Sequence, residues 1–345
     1  MFYLFPFFTS LLITVGIITL ILILCSKIDV FKKIKNSPKY SSKKVCRFGG
    51  VAIILGFLTT IFLDKNLVIS PNLWGIIAAS VFILIFGIHD DFIQLDWKTQ
   101  FLFQVSVAVL VFILGARVEY ITNPFGGMLF LNTGKYLIPS LAFVIFWFVL
   151  MINSMNWIDG IDGLSGGMAL IGTLTIFLLS LKPEVNQPPV GIISMALSGA
   201  ILGFLIFNFY PSKIFAGTSG SMFMGFMLGA LAIFAGTKIA TALLIMAVPV
   251  IDAFWVIGER IKSGNSIFRS DKRHIHHKLL ELGWTPQKIA MLFYGTTICI
   301  AAVAVNTRAL GKTITFASVS IIMVLTLIYI NKKLKKLENK KNDFA

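Results

Sequence analysis

About eleven long apolar runs, parted by short polar breaks, constrain this chain more than anything else in it. A helix needs roughly 17–25 residues to cross a bilayer, and only helices or closed barrels satisfy their own backbone groups there. The run cores are Phe2–Cys25, Gly49–Leu63, Leu73–Ile88, Phe101–Gly115, Leu137–Met151, Leu164–Leu181, Val190–Phe209, Ser221–Phe234, Ile239–Ile257, Ile289–Val305 and Ile314–Ile330. Hydrophobic residues make up 57% of the 345 and charged residues 13%, a balance foreign to a water-soluble domain of this size. The expectation is an all-α polytopic membrane protein with about eleven transmembrane helices, spanning residues 1–345 as one integral membrane domain. The first run lacks the positive leader of a secretory signal and reads as a retained anchor.

Charge sets the orientation, because cytoplasmic loops retain Lys and Arg. If loops alternate sides, starting with Ser26 to Phe48, all of the 30 basic residues fall on one side except Lys65, Arg117, Lys135, Lys182, Lys238, Arg308 and Lys312. That places the N-terminus outside and the C-terminus in the cytoplasm. The seven outer cations form no cluster in the sequence. The net charge of +15 flanks hydrophobic spans, as beside anionic headgroups, so a nucleic acid partner is not expected. The tail, residues 331–345, reads as a lipid-surface anchor or a solvated end. Cys25, Cys46 and Cys299 stand far apart and suggest neither disulfides nor zinc.

Polar constellations all fall on the cytoplasmic side of this topology. Asp90 and Asp91 end the third run, where adjacent carboxylates oppose the helix dipole and repel each other. A divalent cation such as magnesium, which prefers one or two carboxylates with phosphate oxygens and water, answers that need; a solvated boundary pair is the alternative. Lys98 could neutralise Asp91 or hold a phosphate, or simply snorkel. The segment NSMNWIDGIDGLSGG, Asn153 to Gly167, sets Asn153, Asn156, Asp159 and Asp162 at intervals of three. Such steps drift by about 60° on a helix, so Gly160 and Gly163 must bend the chain if the four are to meet. Amides beside carboxylates suit a nucleotide and metal-bound phosphates; a helix-capping turn is the plainer reading. The loop 258–288 carries Arg269, Lys272, Arg273, His274, His276, His277 and Lys278 in ten residues, an anion trap rather than a zinc set.

Taken in order, these segments resemble the polyprenyl-phosphate N-acetylhexosamine-1-phosphate transferases, relatives of the phospho-MurNAc-pentapeptide translocase and the eukaryotic dolichyl-phosphate enzyme. The likeness runs from about Asp29 to Gly283. It rests on RFGG at Arg47–Gly50, the Asp90–Asp91 pair with Lys98, the Asn153–Gly167 segment, NFYPSKIF at Asn208–Phe215, PVID at Pro249–Asp252 and RHIHHKLL at Arg273–Leu280. The HIHH form is similar to the N-acetylhexosamine branch, the branch of undecaprenyl-phosphate GlcNAc-1-phosphate transferases. The resemblance implies eleven helices, an active site on the cytoplasmic side of the plasma membrane, and transfer of a sugar-1-phosphate from a UDP-sugar to polyprenyl phosphate with release of UMP. It implies a Mg²⁺ cofactor, with Mn²⁺ as a substitute, and a cell-envelope glycan pathway. A second copy of the chain, as a homodimer, is a further candidate partner.

On this resemblance Asp90, Asp91, Lys98, Asp159 and Asp162 carry catalysis, with Asp90 orienting or deprotonating the lipid phosphate. Asp91, Asp159 and Asp162 hold the metal, and Arg47, Asn153, Asn156, Asn208, Ser221, Arg273, His274, His276 and His277 hold substrates. There is one large departure: where the family reads GDxGS this chain reads AGTSGS, so Thr218 stands at an expected metal-ligating Asp. Ser41 is a lesser departure, at a position where relatives often carry His. The Thr218 change opens a second reading, an inactive relative that binds lipid phosphate or nucleotide-sugar. A transporter is a third, disfavoured because the spans are almost free of charge.

Overall fold

A computed structural model describes residues 2–27, 45–123, 125–131, 137–236, 238–266 and 272–342. Ser41 and Arg269 lie outside the described residues, as does most of the first polar loop. The described helices are α1 (Leu4–Lys27), α2 (Gly49–Leu63), α3 (Pro71–Ile93), α4 (Trp97–Ile113), α5 (Ile138–Ile158), α6 (Leu164–Ser180), α7 (Pro188–Asn208), α8 (Gly217–Phe234), α9 (Ile239–Ile245), α10 (Ala247–Lys262), α11 (Ile275–Glu281), α12 (Pro286–Asn306) and α13 (Ala309–Asn342). Each apolar run of the sequence falls on helix. Among the described residues seven helices are long and apolar enough to cross a membrane, or eight counting α9 with α10; α2, α4 and α6 are shorter apolar helices.

Three local outcomes differ from the sequence reading. The ninth run is broken: α9 and α10 meet at a 73° bend. The polar stretch after α4 forms a small antiparallel hairpin, β1 (Tyr120–Thr122) with β2 (Met128–Phe130), pairing Tyr120 with Phe130. The basic segment from residue 331 continues α13 as helix through Asn342 rather than starting a separate tail.

The bundle is organised around α8, which packs against α2, α3, α5 and α6. Between membrane helices close packing depends on small residues, and α8 supplies them. A Cβ at Gly225 would lie 2.5 Å from the Met151 carbonyl of α5, and the Trp147 indole N–H donates to the Gly229 carbonyl at 3.1 Å. At its N-terminal end α8 crosses α2 so closely that a Cβ at Gly50 would strike the Gly220 backbone. The first amides of α2, which a helix leaves unsatisfied, donate instead to the chain entering α8: Gly49 to Phe215 at 2.9 Å and Gly50 to Ala216 at 2.8 Å. RFGG and AGTSGS, far apart in the sequence, are thus one structural unit. The C-terminal ends of α3, α5 and α7 and the N-terminal ends of α2, α6 and α8 gather at this end of the bundle. At the other end Ser140 bonds the Val118 backbone and Lys312 bonds Thr241.

Candidate active site

Two helix ends meet at the centre of the site. Asp90 and Asp91 sit buried in the last turns of α3, whose carbonyl end disfavours negative charge. The N-terminus of α8 offsets this: Thr218 N–H donates to both Asp91 oxygens, at 3.0 and 3.1 Å. The Thr218 hydroxyl donates to Asp90 Oδ2 at 2.6 Å. Asp90 Oδ1 also accepts from Leu95 N–H at 3.0 Å and from the Gln100 amide at 2.9 Å. Asp90 is therefore held by three donors of the chain, whereas Asp91 keeps lone pairs for a ligand. Gly217, at φ +70°, makes the approach possible, since a Cβ there would collide with Asp91 Oδ2 and the Arg47 carbonyl.

The Asn153–Gly167 segment leaves α5 and turns into α6 beside this pair. Asp159 caps the end of α5 and accepts a short hydrogen bond from the Ser165 hydroxyl. Burial pushes its carboxyl up to about 6; the Ser165 bond and Arg47 pull it down, and Asp162 pushes it further up. Arg47 acts electrostatically on both Asp91 and Asp159, so one guanidinium serves two carboxylates from different helices. Asp162 Oδ2 accepts from Ser212 N–H at 3.0 Å. Asn156 accepts from the Ser221 hydroxyl at 2.7 Å, which ties the segment to α8. The turn is fixed at Gly163, φ +77°, whose N–H donates to Asn208 Oδ1 at 2.9 Å and whose carbonyl accepts from Tyr294.

The histidine segment closes over the same turn. A Cβ at Gly160 would lie 2.5 Å from His276 Nε2 and 3.2 Å from His277 Cε1, so this glycine is what admits the two rings. Their Nε2 atoms stand 3.2 Å apart. His274 Nδ1 lies 2.7 Å from Asp252 Oδ2, and Asp252 Oδ1 accepts from Ile275 N–H at 2.9 Å, so a buried carboxylate of α10 fixes the start of α11. The rest of α11 is anchored by Glu259: Lys278 Nζ lies 3.0 Å from both its oxygens, and Asn331 of α13 and the Trp255 indole also donate to it.

Arg47, Asp90, Asp91, Asn156, Asp159, Asp162, Thr218, Ser221, His276 and His277 thus come together, with His274 beside Trp157 at a ring separation of 5.8 Å. Other residues go elsewhere. Lys98 is exposed over the Trp97 ring at 5.8 Å, because the turn from α3 to α4 is closed by Leu95 and Gln100 instead. Asn153 pairs with Gln104 of α4 at 2.6 Å, as its position a turn before Asn156 faces another helix. Asn208 spends both ends of its amide on the backbone of Gly163 and Ile214. Arg273 bonds the Glu259 carbonyl at 3.0 Å and Ser263 at 3.1 Å. Asp91, Asp159 and Asp162 do not form a closed cage: among the described residues no three acidic, Cys or His side chains are placed to hold a metal alone. Magnesium needs only one or two carboxylates and completes its shell with phosphate oxygens and water, and Asp91 and Asp159, which share the influence of Arg47, are the side chains of that chemistry here.

Sequence reasoning missed Gln100, Glu259 and Tyr294 as parts of this site, and singled out the segments holding Ser165 and Asp252 without giving either residue a role. Glu259 carried a faint signal, as a carboxylate near a span end; Gln100 and Tyr294 read as ordinary helix residues.

Comparison with known proteins agrees with the geometry. A family model described as glycosyl transferase family 4 matches residues 73–236, which takes in Asp90, Asp91, the Asn153–Gly167 segment and Thr218. The chain is 33% identical over 280 residues to the decaprenyl-phosphate N-acetylglucosaminephosphotransferase of Mycobacterium leprae (strain TN), covering 72% of this chain and 69% of that one. The protein of that name from Mycolicibacterium smegmatis (strain ATCC 700084 / mc(2)155) is 33% identical over 318 residues, 82% of this chain and 77% of its own. The phospho-N-acetylmuramoyl-pentapeptide-transferase of Bacillus pumilus (strain SAFR-032) is 28% identical over 290 residues, 79% and 86% of the two chains. With these matches and this arrangement of helix ends, the chain belongs to glycosyl transferase family 4 and is a multi-pass membrane enzyme of the phosphotransferase type.

Proposed function

We propose that this enzyme transfers N-acetylhexosamine-1-phosphate from a UDP-sugar to a polyprenyl phosphate, releasing UMP, as a membrane step of cell-envelope glycan synthesis. The observation that carries the reading is the convergence of Asp91, Asp159, Arg47 and the paired His276 and His277 at one end of the bundle, where a membrane-anchored phosphate and a water-soluble nucleotide can meet. Positive-inside charge supports an outside N-terminus and a cytoplasmic site, and eleven crossings follow if the seven long helices, the bent pair and the three shorter apolar helices each cross. Polyprenyl phosphate and a UDP-sugar are the acceptor and donor that this chemistry and the relatives' names support.

In the reaction an oxygen of the lipid phosphate attacks the sugar-linked phosphorus; the new P–O bond forms as the bond to the UMP oxygen breaks. Phosphoryl transfer asks chiefly for positioning and charge neutralisation. A magnesium ion held by Asp91 and Asp159 would supply part of that neutralisation. Arg47, with a planar fork suited to phosphate, binds the charge growing between the reactants. Asp90, held by Thr218, Gln100 and Leu95, fixes the last turn of α3 that carries Asp91 rather than taking a proton itself. His276 and His277 lie where the sugar phosphate must pass over Gly160 and donate to its oxygens.

The test is purified full-length protein with UDP-GlcNAc, polyprenyl phosphate and Mg²⁺ or Mn²⁺. The expected product is polyprenyl-diphosphate-GlcNAc by mass, with equimolar UMP, both lost in Asp91→Asn. Thr218 motivates the second reading: binding of UDP-sugar by thermal shift without release of UMP under either metal would identify a binding protein instead.

A further inference from the structure

The end of the bundle opposite the carboxylates carries a second concentration of charge, mostly basic, with Glu184 in the same loop as Lys182. Lys182 follows α6, Lys238 precedes α9 and Lys312 lies in the first turns of α13. The sequence puts these lysines in separate loops with no sign of a cluster; the fold overturns that and brings Lys182 and Lys238 within electrostatic reach of Lys312. Two of the ammonium groups are tethered to neutral partners. Lys312 Nζ donates to the Thr241 hydroxyl at 2.6 Å, and Lys182 Nζ to the Val305 carbonyl at the end of α12. Among the described residues no carboxylate forms an ion pair with any of the three. An ammonium has three N–H donors, so each tethered lysine keeps donors to spare. Like charges gathered at a partly desolvated edge repel one another unless an anion joins them.

A shallow groove of about 580 Å³ lies between α12 and α13 on the outside of the bundle, lined by Met291, Leu292, Gly295, Cys299, Ile300 and Val319 among others and by none of the three lysines. Lys312 and Val319 are seven residues apart on α13, two turns along one face and about 10 Å of rise. The groove therefore begins about two helical turns below the charged edge and lies on the apolar outside of the bundle, where Met291 is 69% exposed. Charge at the membrane boundary above an apolar channel matches an amphiphile with an anionic head.

We propose that Lys182, Lys238 and Lys312 bind the phosphate headgroup of an anionic phospholipid whose acyl chain lies in the groove between α12 and α13. This site is separate from the carboxylate centre and does not depend on the reaction proposed there. Basic pockets between membrane helices recognise phospholipid heads on this principle.

The experiment is native mass spectrometry of the full-length protein in detergent with phosphatidylglycerol or phosphatidylcholine at equal concentration, and a parallel arm with added inorganic phosphate. The parent should retain phosphatidylglycerol in preference, and Lys312→Gln and Lys238→Gln should each lower that preference about fivefold. Lys312→Arg should keep it, and Val319→Trp, which fills the groove and leaves the charges, should lower retention. Among the described residues Lys238 makes no side-chain hydrogen bond that Lys238→Gln would break, so this variant guards against misfolding as the cause. An unchanged preference in both glutamine variants would overturn the site. Full displacement by millimolar inorganic phosphate, with Val319→Trp without effect, would overturn the lipid as its occupant.

Discussion

Thr218 shows how a single side chain can rebuild a site. A carboxylate at this position beside Asp90 and Asp91 would add a third negative charge; the hydroxyl instead donates to Asp90 while the backbone N–H holds Asp91. Thr218→Ala removes a hydrogen bond to a charged acceptor, worth about 1.5–3 kcal/mol, so turnover should fall roughly 10- to 100-fold with little change in donor KM. Gly217→Ala should be more severe, because at φ +70° the methyl group meets Asp91 and the Arg47 carbonyl together; UMP release should become undetectable while the protein still purifies as a folded species. Asp159 makes a prediction about pH. Its carboxyl is raised to about 6, above the ordinary value of 3.8, so in metal-free protein the folded state binds its proton more tightly than the unfolded chain does. That contribution to stability is present below about pH 4 and is lost as pH rises through about 6. The fall in melting temperature over this range should be smaller in Asp159→Asn than in the parent, as read by metal-free thermal unfolding.

Among the elements, α11 depends most on its neighbours. Seven residues make too short a helix to stand alone, and Asp252 at its start with Glu259 alongside do the holding. Glu259→Ala strands a buried Lys278 ammonium and frees Asn331 of α13, so the histidines should lose their fixed place over Gly160. A tenfold rise in KM for the UDP-sugar with a smaller change in kcat is expected, a magnitude of about 1.4 kcal/mol; Glu259→Asp should recover part of it. The histidine cluster was legible from HIHH, and the carboxylates from the Asp pair and the Asn153–Gly167 segment. Their supports were not, because Asp252 and Glu259 acquire their roles only when α10, α11 and α13 meet. The hairpin of β1 and β2 and the bend between α9 and α10 were equally hidden, since short strands and broken helices leave no clear period in an apolar sequence.

For the whole molecule, the proposed orientation can be read by labelling. In a background without Cys25, Cys46 and Cys299, a cysteine at Phe125, 88% exposed in the hairpin loop, should react with an impermeant maleimide on intact cells. One at Lys262, at the end of α10 beside the histidine segment, should react only after the membrane is opened. The reverse pattern would invert the bundle and put the carboxylates outside.

The amino-acid sequence by itself determined that this chain lives in a bilayer, where its helices run, and which polar segments carry chemistry, because apolar length and isolated carboxylates are expensive to place any other way. Only the tertiary structure decided which of those residues touch. Thr218 reaches Asp91 across 127 positions because α3 ends where α8 begins. Lys98, seven residues after Asp91, stays outside because Leu95 and Gln100 close the turn first. Nearness along the chain is set by covalent order, whereas nearness in the site is set by which helix ends share a face of the bundle.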